Sequence, residues 1–241
     1  MDGLSIDFHG CRMQALGSGA LFWPDTDTLI LGDLHLGRAA RSALRGGALL
    51  PPYEGRDTLS RLAADLAATA AGRVICLGDS LDDGATAPDA ETAAMLAALA
   101  SGRDWVWVAG NHDPGPPPIP LPGARALHHL AEISMAPLVF RHIPAVGAAG
   151  EVSAHLHPTL TLRLGRERVR RPCFLIDDQR LMLPAYGSYT GGLDCTDPAF
   201  APYFGPSARA LLLPAERAGS PFAFSAARAT SSGQRARSTP A

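Results

Sequence analysis

The chain has 241 residues, of which 46% are hydrophobic and 18% charged, and its formal net charge is -2 at pH 7. A chain of this length and composition is typical of one globular domain, and its apolar content excludes an intrinsically disordered protein. The near-neutral charge excludes a general electrostatic attraction to nucleic acid or membranes, so any binding of anions must be local.

The cysteines and the longest apolar stretches bear on where the protein works. The four cysteines show no C-x-x-C spacing, so they indicate neither a thiolate metal site nor a disulfide framework. No apolar stretch reaches the roughly 18 residues of a membrane span. The N-terminus also lacks the apolar core of a signal peptide. We therefore expect a cytoplasmic protein that has no membrane partner.

The first half of the chain predicts alternating strands and helices. Residues 1–19 form a mixed N-terminal segment with one short edge strand near residues 5–8. The elements that follow are a hairpin over 20–23 and 28–31, a helix over 56–71, a strand over 74–77, a helix over 89–100 and a strand over 105–108. This order implies right-handed crossovers and a sheet covered by helices.

Polar residues follow each of these strands at its carboxyl end. They are Asp33 and His35 after the hairpin, Asp79 after the middle strand, and Asn111, His112 and Asp113 after the last strand. Asp33 and His35 alternate with Leu34, so an extended chain points both polar side chains to one face. Ligands of α/β proteins gather at this edge. An alternative for the last group is an ordinary turn, since Asn and Asp before a proline also bond to their own backbone.

Two arginine-rich stretches each allow two interpretations. Residues 37–52 are predicted to be a loop, and its Arg38 and Arg41 are either part of a solvated connector or a rim that binds substrate phosphate. The second stretch is the tip of a predicted hairpin, which is either solvated surface or a nucleic-acid contact. Its arginines are Arg166, Arg168, Arg170 and Arg171.

The second half of the chain is predicted to be mainly β. The expected strands cover 138–140, 151–153, 159–164, 172–176 and 180–183. His142 follows the first of them, and His155 and His157 follow the second, where an extended chain points both imidazoles the same way. The polar, Gly-rich segment 186–192 could close over the site. We expect a domain over 20–204 and a largely disordered tail over 205–241.

The residues at these strand ends together predict a metal site. Oxygen and imidazole ligands without thiolate favour Mn²⁺, Fe or Zn²⁺ over a structural zinc. A set of this size with one shared carboxylate can hold two metals about 3.5 to 4 Å apart. The set consists of Asp33, His35, Asp79, Asn111, His112, His142, His155 and His157.

The order of these motifs, D-x-H, G-D, G-N-H-D, a single His and H-x-H, resembles the calcineurin-like metallophosphoesterase superfamily over residues 20–195. The resemblance implies an α/β fold in which a two-layered β sandwich is flanked by helices on both sides, with two divalent metals, Mn²⁺ first among them, at the strand ends. The implied ligands are Asp33, His35 and His157 for one metal, Asn111, His142 and His155 for the other, and Asp79 as the bridge.

The same resemblance implies a hydrolytic reaction on phosphate esters. A hydroxide attacks phosphorus in line, and His112 stabilises the phosphoryl oxygens or protonates the leaving oxygen. General acid help of this kind contributes about 10² to 10⁴-fold to the rate. Asp113 is expected to orient the His112 ring, and Arg38 and Arg41 to bind substrate.

The chain is also similar to the bacterial DNA ligase-associated metallophosphoesterases of the PdeM type. The similar segments are 33–37, 155–158, 183–187 and 189–192. This resemblance implies a DNA-repair nuclease or phosphodiesterase, associated with a DNA ligase, a helicase and an exonuclease. The chain departs from the family pattern at Ala154, where glycine is usual before H-x-H, and at Arg38, where lysine is common.

The sequence therefore leaves three functions to be distinguished. The first is a two-metal phosphodiesterase that acts on DNA. The second is a phosphatase or cyclic-nucleotide phosphodiesterase that acts on small molecules, which the near-neutral charge leaves open. The third is a scaffold that has kept the fold without catalysis, and the complete ligand set together with His112 argues against it.

Overall fold

The computed structural model describes residues 3–44, 46–47, 51, 53–83, 88–164, 166–215 and 222–225. Within these residues the chain forms two β-sheets that share a hydrophobic core, and helices cover the outer face of the first sheet. The predicted α/β sandwich in a single domain is confirmed. In the described part of the chain, no helix is both long and apolar enough to cross a membrane.

The first sheet contains seven strands in chain order. They are β1 (Gly3–Phe8), β2 (Cys11–Leu16), β3 (Leu21–Trp23), β4 (Thr28–Leu31), β5 (Arg73–Cys76), β6 (Asp104–Val108) and β7 (Ala126–Leu130). The pairs from β1 to β4 are antiparallel, whereas those from β4 to β7 are parallel. Since parallel strands point the same way, β4, β5 and β6 bring their carboxyl ends to one edge.

The described residues form three helices, and the second and third of them are the predicted crossovers. They are α1 (Arg38–Leu44), α2 (Glu54–Thr69) and α3 (Ala90–Ala100). Asp89 caps α3, since its side chain accepts the Thr92 N–H at 2.9 Å. The prediction of a loop over 37–52 needs correction, because α1 occupies its first part. Its short Ala- and Arg-rich sequence lacks a full apolar stripe, which is the signal that identifies longer helices.

Side chains alternate between two cores along the parallel strands. On β6, Trp105 and Trp107 pack with the helices, whereas Val106 and Val108 face the second sheet. A two-residue period of this kind is a property of extended backbone, and apolar residues on both faces are typical of a parallel strand buried on both sides. The first sheet is therefore the central layer of the molecule.

The second sheet contains the remaining strands. They are β8 (Glu132–Met135), β9 (Leu138–Arg141), β10 (Glu151–Ser153), β11 (Thr159–Leu164), β12 (Glu167–Ile176), β13 (Arg180–Met182), β14 (Arg209–Leu212) and β15 (Phe222–Ser225). Their order is β15-β14-β12-β13-β10-β9-β8, and β11 pairs with β12. Its outer face packs against the 3-10 turn Pro198–Phe200 and nearby loops, so among the described residues the expected helical layer is lacking on this side.

The structure differs from the prediction at both ends of the chain. Residues 1–19 were expected to lie outside the domain, but β1 and β2 form a hairpin whose Phe8 and Met13 are buried in the shared core. Residues from 205 onward were expected to be largely disordered, but β14 is buried between β12 and β15. Its main partner lies far away in sequence, so local composition gave no signal. Residues 226–241 of the predicted tail lie outside the described residues.

Candidate metal centre

The carboxyl edge of β4, β5 and β6 holds the predicted site. The three strands are in register, with Leu31 beside Cys76 and Cys76 beside Trp107. Asp33, Asp79 and Asn111 follow these strands, and the second sheet adds the histidines from its loops. The structure brings all seven predicted ligands together.

Left-handed backbone, and not extended backbone, directs several of these side chains. The φ angles are 47° at His35, 46° at Asp79, 73° at His155 and 48° at His157. The expectation that D-x-H and H-x-H are extended therefore needs correction, although the side chains still converge. Positive φ is uncommon outside glycine and costs of order 1–3 kcal/mol, and it concentrates at functional sites. Ala154, which departs from the family pattern, is buried and donates its N–H to the His142 carbonyl.

The first group of ligands consists of Asp33, His35 and His157, and one ligand atom from each lies within 4.8 Å of the others. Nε2 of His157 is 2.8 Å from Oδ1 of Asp33. Among the described residues, Asp33 Oδ1, His35 Nε2 and His157 Nε2 are buried with no hydrogen-bond partner. Buried polar atoms of a folded protein are normally paired. Three unpaired atoms that converge on one point fit a bound cation.

The second group consists of Asp79, His142 and His155, also within 4.8 Å of one another. Nε2 of His142 lies 3.3 Å from Asp79 Oδ2, 3.2 Å from His155 Nδ1 and 3.0 Å from Asn111 Oδ1. Nδ1 of His142 lies 2.7 Å from the Leu77 carbonyl. Because a carbonyl only accepts, Nδ1 carries the proton and Nε2 presents its lone pair to the centre.

His157 is held in the same way. Its Nδ1 donates to the Gly191 carbonyl at 3.0 Å, which leaves Nε2 free to face Asp33. The segment 186–192, which by its sequence could close over the site, is fastened on both sides of Tyr189. The Tyr186 and Gly187 N–H groups donate to the Asp33 carbonyl at 3.0 and 2.9 Å, and Arg170 donates to the Gly192 carbonyl.

The carboxylates at the centre are ionised. Burial raises the pKa of Asp33, but its interactions with His157, His142 and His35 outweigh that effect and hold the pKa well below its usual range. Burial likewise raises the pKa of Asp79, and His142 and the His112 N–H lower it below its ordinary value. Ionised carboxylates, together with imidazole nitrogens that give up their proton to the cation, are the donors that divalent cations bind.

Glycines allow the strand ends to approach one another closely. Gly78 has a φ of 82°, and a Cβ added there would lie 2.6 Å from Cγ of His142. A Cβ on Gly110 would overlap the backbone nitrogen and a carboxylate oxygen of Asp79. The G-D and G-N-H-D motifs therefore need glycine for space and, at Gly78, for conformation.

Asp113 does not have the role predicted from the sequence. It was expected to orient the His112 ring, but its carboxylate accepts N–H groups of Asp79 at 2.9 Å, Ser80 at 2.7 Å and Leu81 at 3.0 Å. It also accepts the Gly110 N–H at 3.2 Å. The side chain is buried beneath the loop, so it fixes the backbone that carries Asp79 and acts on His112 only through that backbone.

Asp82 is the residue that the sequence analysis missed. Its Oδ1 lies 3.0 Å from His35 Nδ1, and its carbonyl oxygen lies 3.1 Å from His112 Nδ1. Burial raises its pKa, but hydrogen bonds from His35 and Arg41 outweigh this and lower the pKa to about 2. The signal in the sequence was its place three residues after Asp79, in the stretch 78–82.

The predicted substrate arginines lie on the rim of the site. Arg38 and Arg41 approach Asp82 at 3.2 and 2.9 Å, and Nη1 of Arg41 is 3.3 Å from His112 Nδ1. They border an open cleft of about 600 Å³. Its lining includes ligands of both groups, and it also includes Tyr189. His112 is one-third exposed in this cleft, with Nε2 3.9 Å from Asp79 Oδ2.

The calcineurin-like phosphoesterase family matches residues 27–168, which is more than half of the chain. The chain belongs to this family. Members hydrolyse phosphate esters with bound metal, so this calcineurin-like phosphoesterase is a metal-dependent hydrolase, and its two ligand groups are the candidate sites for the divalent ions.

A solved structure gives a second comparison for this phosphoesterase. The Pseudomonas putida nuclease MPE has 29% sequence identity and a TM-score of 0.70, and the match covers 88% of this chain and 97% of that chain. The likeness therefore extends over most of the chain and includes residues of both sheets. No curated protein matches the sequence.

Proposed function

We propose that this phosphoesterase is a two-metal phosphodiesterase that cleaves nucleic acid. The observation that carries the proposal is the pair of ligand groups, Asp33, His35 and His157 beside Asp79, His142 and His155, each with its ligand atoms within 4.8 Å. A pair of adjacent cations can act on the attacking and the leaving oxygen of one phosphodiester. The structural neighbour is described as a nuclease, and this supports a nucleic-acid substrate.

The proposed ligand assignment follows the two groups. Asp33, His35 and His157 hold one cation, Asn111, His142 and His155 hold the other, and Asp79 is shared. Mixed carboxylate, amide and imidazole donors suit Mn²⁺, with Fe or Zn²⁺ as alternatives. When bound, the cations supply Lewis-acid charge and lower the pKa of water so that it is nucleophilic near neutral pH.

The protein residues position and protonate the substrate. His112 is the proposed general acid, because its ring is one-third exposed in the open cleft beside Asp79 and belongs to neither ligand group. The Asp82 carbonyl accepts the Nδ1 proton and fixes the ring, so Nε2 faces the cleft. Arg38 and Arg41 are proposed to bind the phosphate, although both are partly neutralised by Asp82.

The biological setting stays a prediction from the PdeM-type resemblance. We infer that the enzyme serves DNA repair and works with a DNA ligase, a helicase and an exonuclease. The cytoplasmic location expected from the sequence also stays a prediction. A small-molecule phosphatase or cyclic-nucleotide phosphodiesterase is the second candidate, because a cleft of about 600 Å³ is large enough for one mononucleotide.

Turnover of two chromogenic esters tests the proposal. We expect Mn²⁺-dependent hydrolysis of bis-p-nitrophenyl phosphate to exceed that of p-nitrophenyl phosphate. Asp79→Asn should abolish turnover, and His112→Ala should lower it about 10² to 10⁴-fold while Mn²⁺ binding persists. Turnover of the monoester alone would favour the small-molecule phosphatase. No turnover with any of the three metals, in a protein that binds two ions, would leave the non-catalytic scaffold.

A further inference from the structure

The hairpin of β11 and β12 carries an arginine-rich surface that the metal centre does not use. Between residues 159 and 172 it contains five arginines and one glutamate, whereas the whole chain has a net charge of -2. Positive charge is thus concentrated on one hairpin. The antiparallel register places Arg163 directly opposite Arg168, and Thr161 opposite Arg170.

The register puts three of these arginines on one face. Cross-strand partners share a face and alternate residues return to it, so Arg163, Arg168 and Arg170 lie on the same side. All three are exposed, and within the described part of the chain none of them contacts a carboxylate. Like charges directly opposite each other destabilise a sheet. An anionic partner on this face would be attracted to both arginines and would offset their mutual repulsion.

This face leads to the metal centre. Arg170 donates through Nε to Thr159 Oγ1 at 2.8 Å and through a second nitrogen to the Gly192 carbonyl. The neighbouring carbonyl, of Gly191, is the one that holds His157. From Arg170, the next residue on the same face of β12 is Arg168, about 7 Å further from the centre. The exposed arginines therefore continue outward from the side of the cleft that Gly191 lines.

Tyr189 supplies an aromatic surface at the junction of hairpin and cleft. It lines the cleft and is 46% exposed, although large aromatic side chains usually bury most of their area. Its backbone is held in a left-handed conformation with a φ of 58°. Next to it, the Ser188 N–H donates to Thr58 Oγ1 at 3.0 Å. The ring is thus presented from a fixed segment.

We propose that Arg163, Arg168 and Tyr189 form a binding surface for single-stranded nucleic acid, which rests on the proposed phosphodiesterase function and names its substrate class. The arginines bind backbone phosphates, and the tyrosine stacks on a base beside the bond that is cleaved. Positive grooves lined with aromatic side chains are how proteins bind single strands irrespective of sequence. A duplex keeps its bases stacked on one another, so it offers Tyr189 no free face.

The test measures binding of a fluorescein-labelled, phosphorothioate-linked oligothymidylate of about 20 nucleotides, longer than one typical site, to the Mn²⁺-loaded enzyme over a range of salt concentrations. The variant Arg163→Gln/Arg168→Gln removes two phosphate contacts. Each contact contributes about 0.7 to the slope of log K against log salt, so the slope falls by about 1.4 and the affinity near 0.1 M salt falls about 25-fold. Arg170 is left unchanged because it supports the segment beside His157.

The matched control is Arg12→Gln/Arg209→Gln. Arg12 and Arg209 are exposed on strands β2 and β14, and this variant removes the same charge elsewhere. It should bind like the wild type, and both variants should keep the wild-type melting temperature. Equal affinity and equal salt slope in the two double variants would overturn the arginine surface.

Two variants of Tyr189 test the stacking. Tyr189→Ala should weaken binding about tenfold, whereas Tyr189→Phe, which keeps the ring, should bind nearly as well as the wild type. Replacing the thymines by abasic units should remove the difference between these variants. A blunt duplex that binds as tightly as the single strand would overturn the assignment of the substrate class.

The proposed function and this inference can fail separately. Hydrolysis of bis-p-nitrophenyl phosphate by the wild type depends on the metal centre, because that ester is too small to reach Arg163. If the wild type hydrolyses it but the double variants bind the oligonucleotide equally, only the nucleic-acid surface is refuted. If no diester is hydrolysed while binding still depends on Arg163 and Arg168, the surface is supported and the phosphodiesterase function is refuted.

Discussion

The two sheets contribute different ligands to one site, and they hold them differently. The first sheet supplies the carboxylates Asp33 and Asp79, which follow adjacent parallel strands and are buried. The second sheet supplies the imidazoles of His142, His155 and His157 from loops. Two of these rings are fixed by carbonyl groups of other segments, at Leu77 and Gly191. The carboxylates and His35 therefore depend on one sheet, whereas the other three imidazoles depend on how the two sheets pack.

The largest effect should come from a carboxylate of the first sheet. Asp33→Asn leaves the buried Oδ1 position filled but removes the charge that faces His157 and His35. We expect Mn²⁺ affinity at the first ligand group to fall by more than the roughly 10 to 100-fold that loss of a supporting contact costs. Isothermal titration with Mn²⁺ measures this, and two ions bound with wild-type affinity would contradict the assignment.

Loosening the contact between the sheets should affect the imidazoles more than the carboxylates. Phe140 is fully buried in the shared core, two residues before His142. Phe140→Ala should cost about 3 to 5 kcal/mol of unfolding free energy, measured by urea denaturation. In the protein that remains folded, Mn²⁺ bound to His142 and His155 should be lost first. The control is Phe22→Ala, which removes a buried ring on the helix side of the first sheet. It should not cause Mn²⁺ to be lost from His142 and His155 first.

A smaller effect should follow from removing the support of His35 in the first sheet. Asp82→Asn keeps the shape of the side chain but weakens its contacts with His35 Nδ1 and Arg41. We expect Mn²⁺ affinity at the first ligand group to fall about 10 to 100-fold, with the second group unaffected. Competition with a fluorescent chelator reports both affinities. Equal loss at both groups would show that Asp82 supports the whole loop.

The smallest effect should come from the opposite end of β6, far from the metals. The hydrogen bond from Arg125 lowers the pKa of Asp104, which lies 2.7 Å from Arg125 Nε. Because the folded pKa is depressed, this pair stabilises the protein above the unfolded pKa of about 3.9, and the contribution disappears as the pH falls through the folded pKa. Asp104→Asn should therefore cost about 0.2 to 1 kcal/mol at neutral pH.

The control for this pair is the pH dependence itself. Urea denaturation gives the unfolding free energy of Asp104→Asn and of the wild type at several pH values. The difference between the two should vanish at pH values below the folded pKa of Asp104, and at neutral pH it should shrink at high salt. A difference that persists at low pH would mean that Asp104 acts by packing and not by charge. Mn²⁺ affinity should be the same in both proteins, since this end of β6 does not contribute to the site.

Much of the fold could be predicted from local pattern, because hydrophobic periodicity is a property of neighbouring residues. The strands and helices from 20 to 108 correspond closely to β3–β6, α2 and α3. Some of the elements that were missed depend on distant partners, and others lack a local signal. β14 pairs with β12 across more than 30 residues of sequence, and α1 lacks an apolar stripe of its own.

For the site, the motif residues were sufficient to name the ligands but not to describe how they are held. Asp33, His35, Asp79, Asn111 and the three histidines converge as the motifs indicated. Asp113, however, bonds to backbone and not to His112, and Asp82 takes a position that no spacing rule required. Hydrogen-bond partners depend on which loops meet in space, and a single sequence does not contain that information.

The sequence by itself determined the chemistry: carboxylates and imidazoles without thiolate, placed where strands end, in the order of a metal-dependent phosphoesterase. Only the tertiary structure decided the conformation that makes the site. His35, Asp79, His155 and His157 adopt left-handed backbone that local preference opposes. They are held there because the packing of two sheets gives more free energy than the strain costs. That balance is a property of the whole fold and not of any one motif.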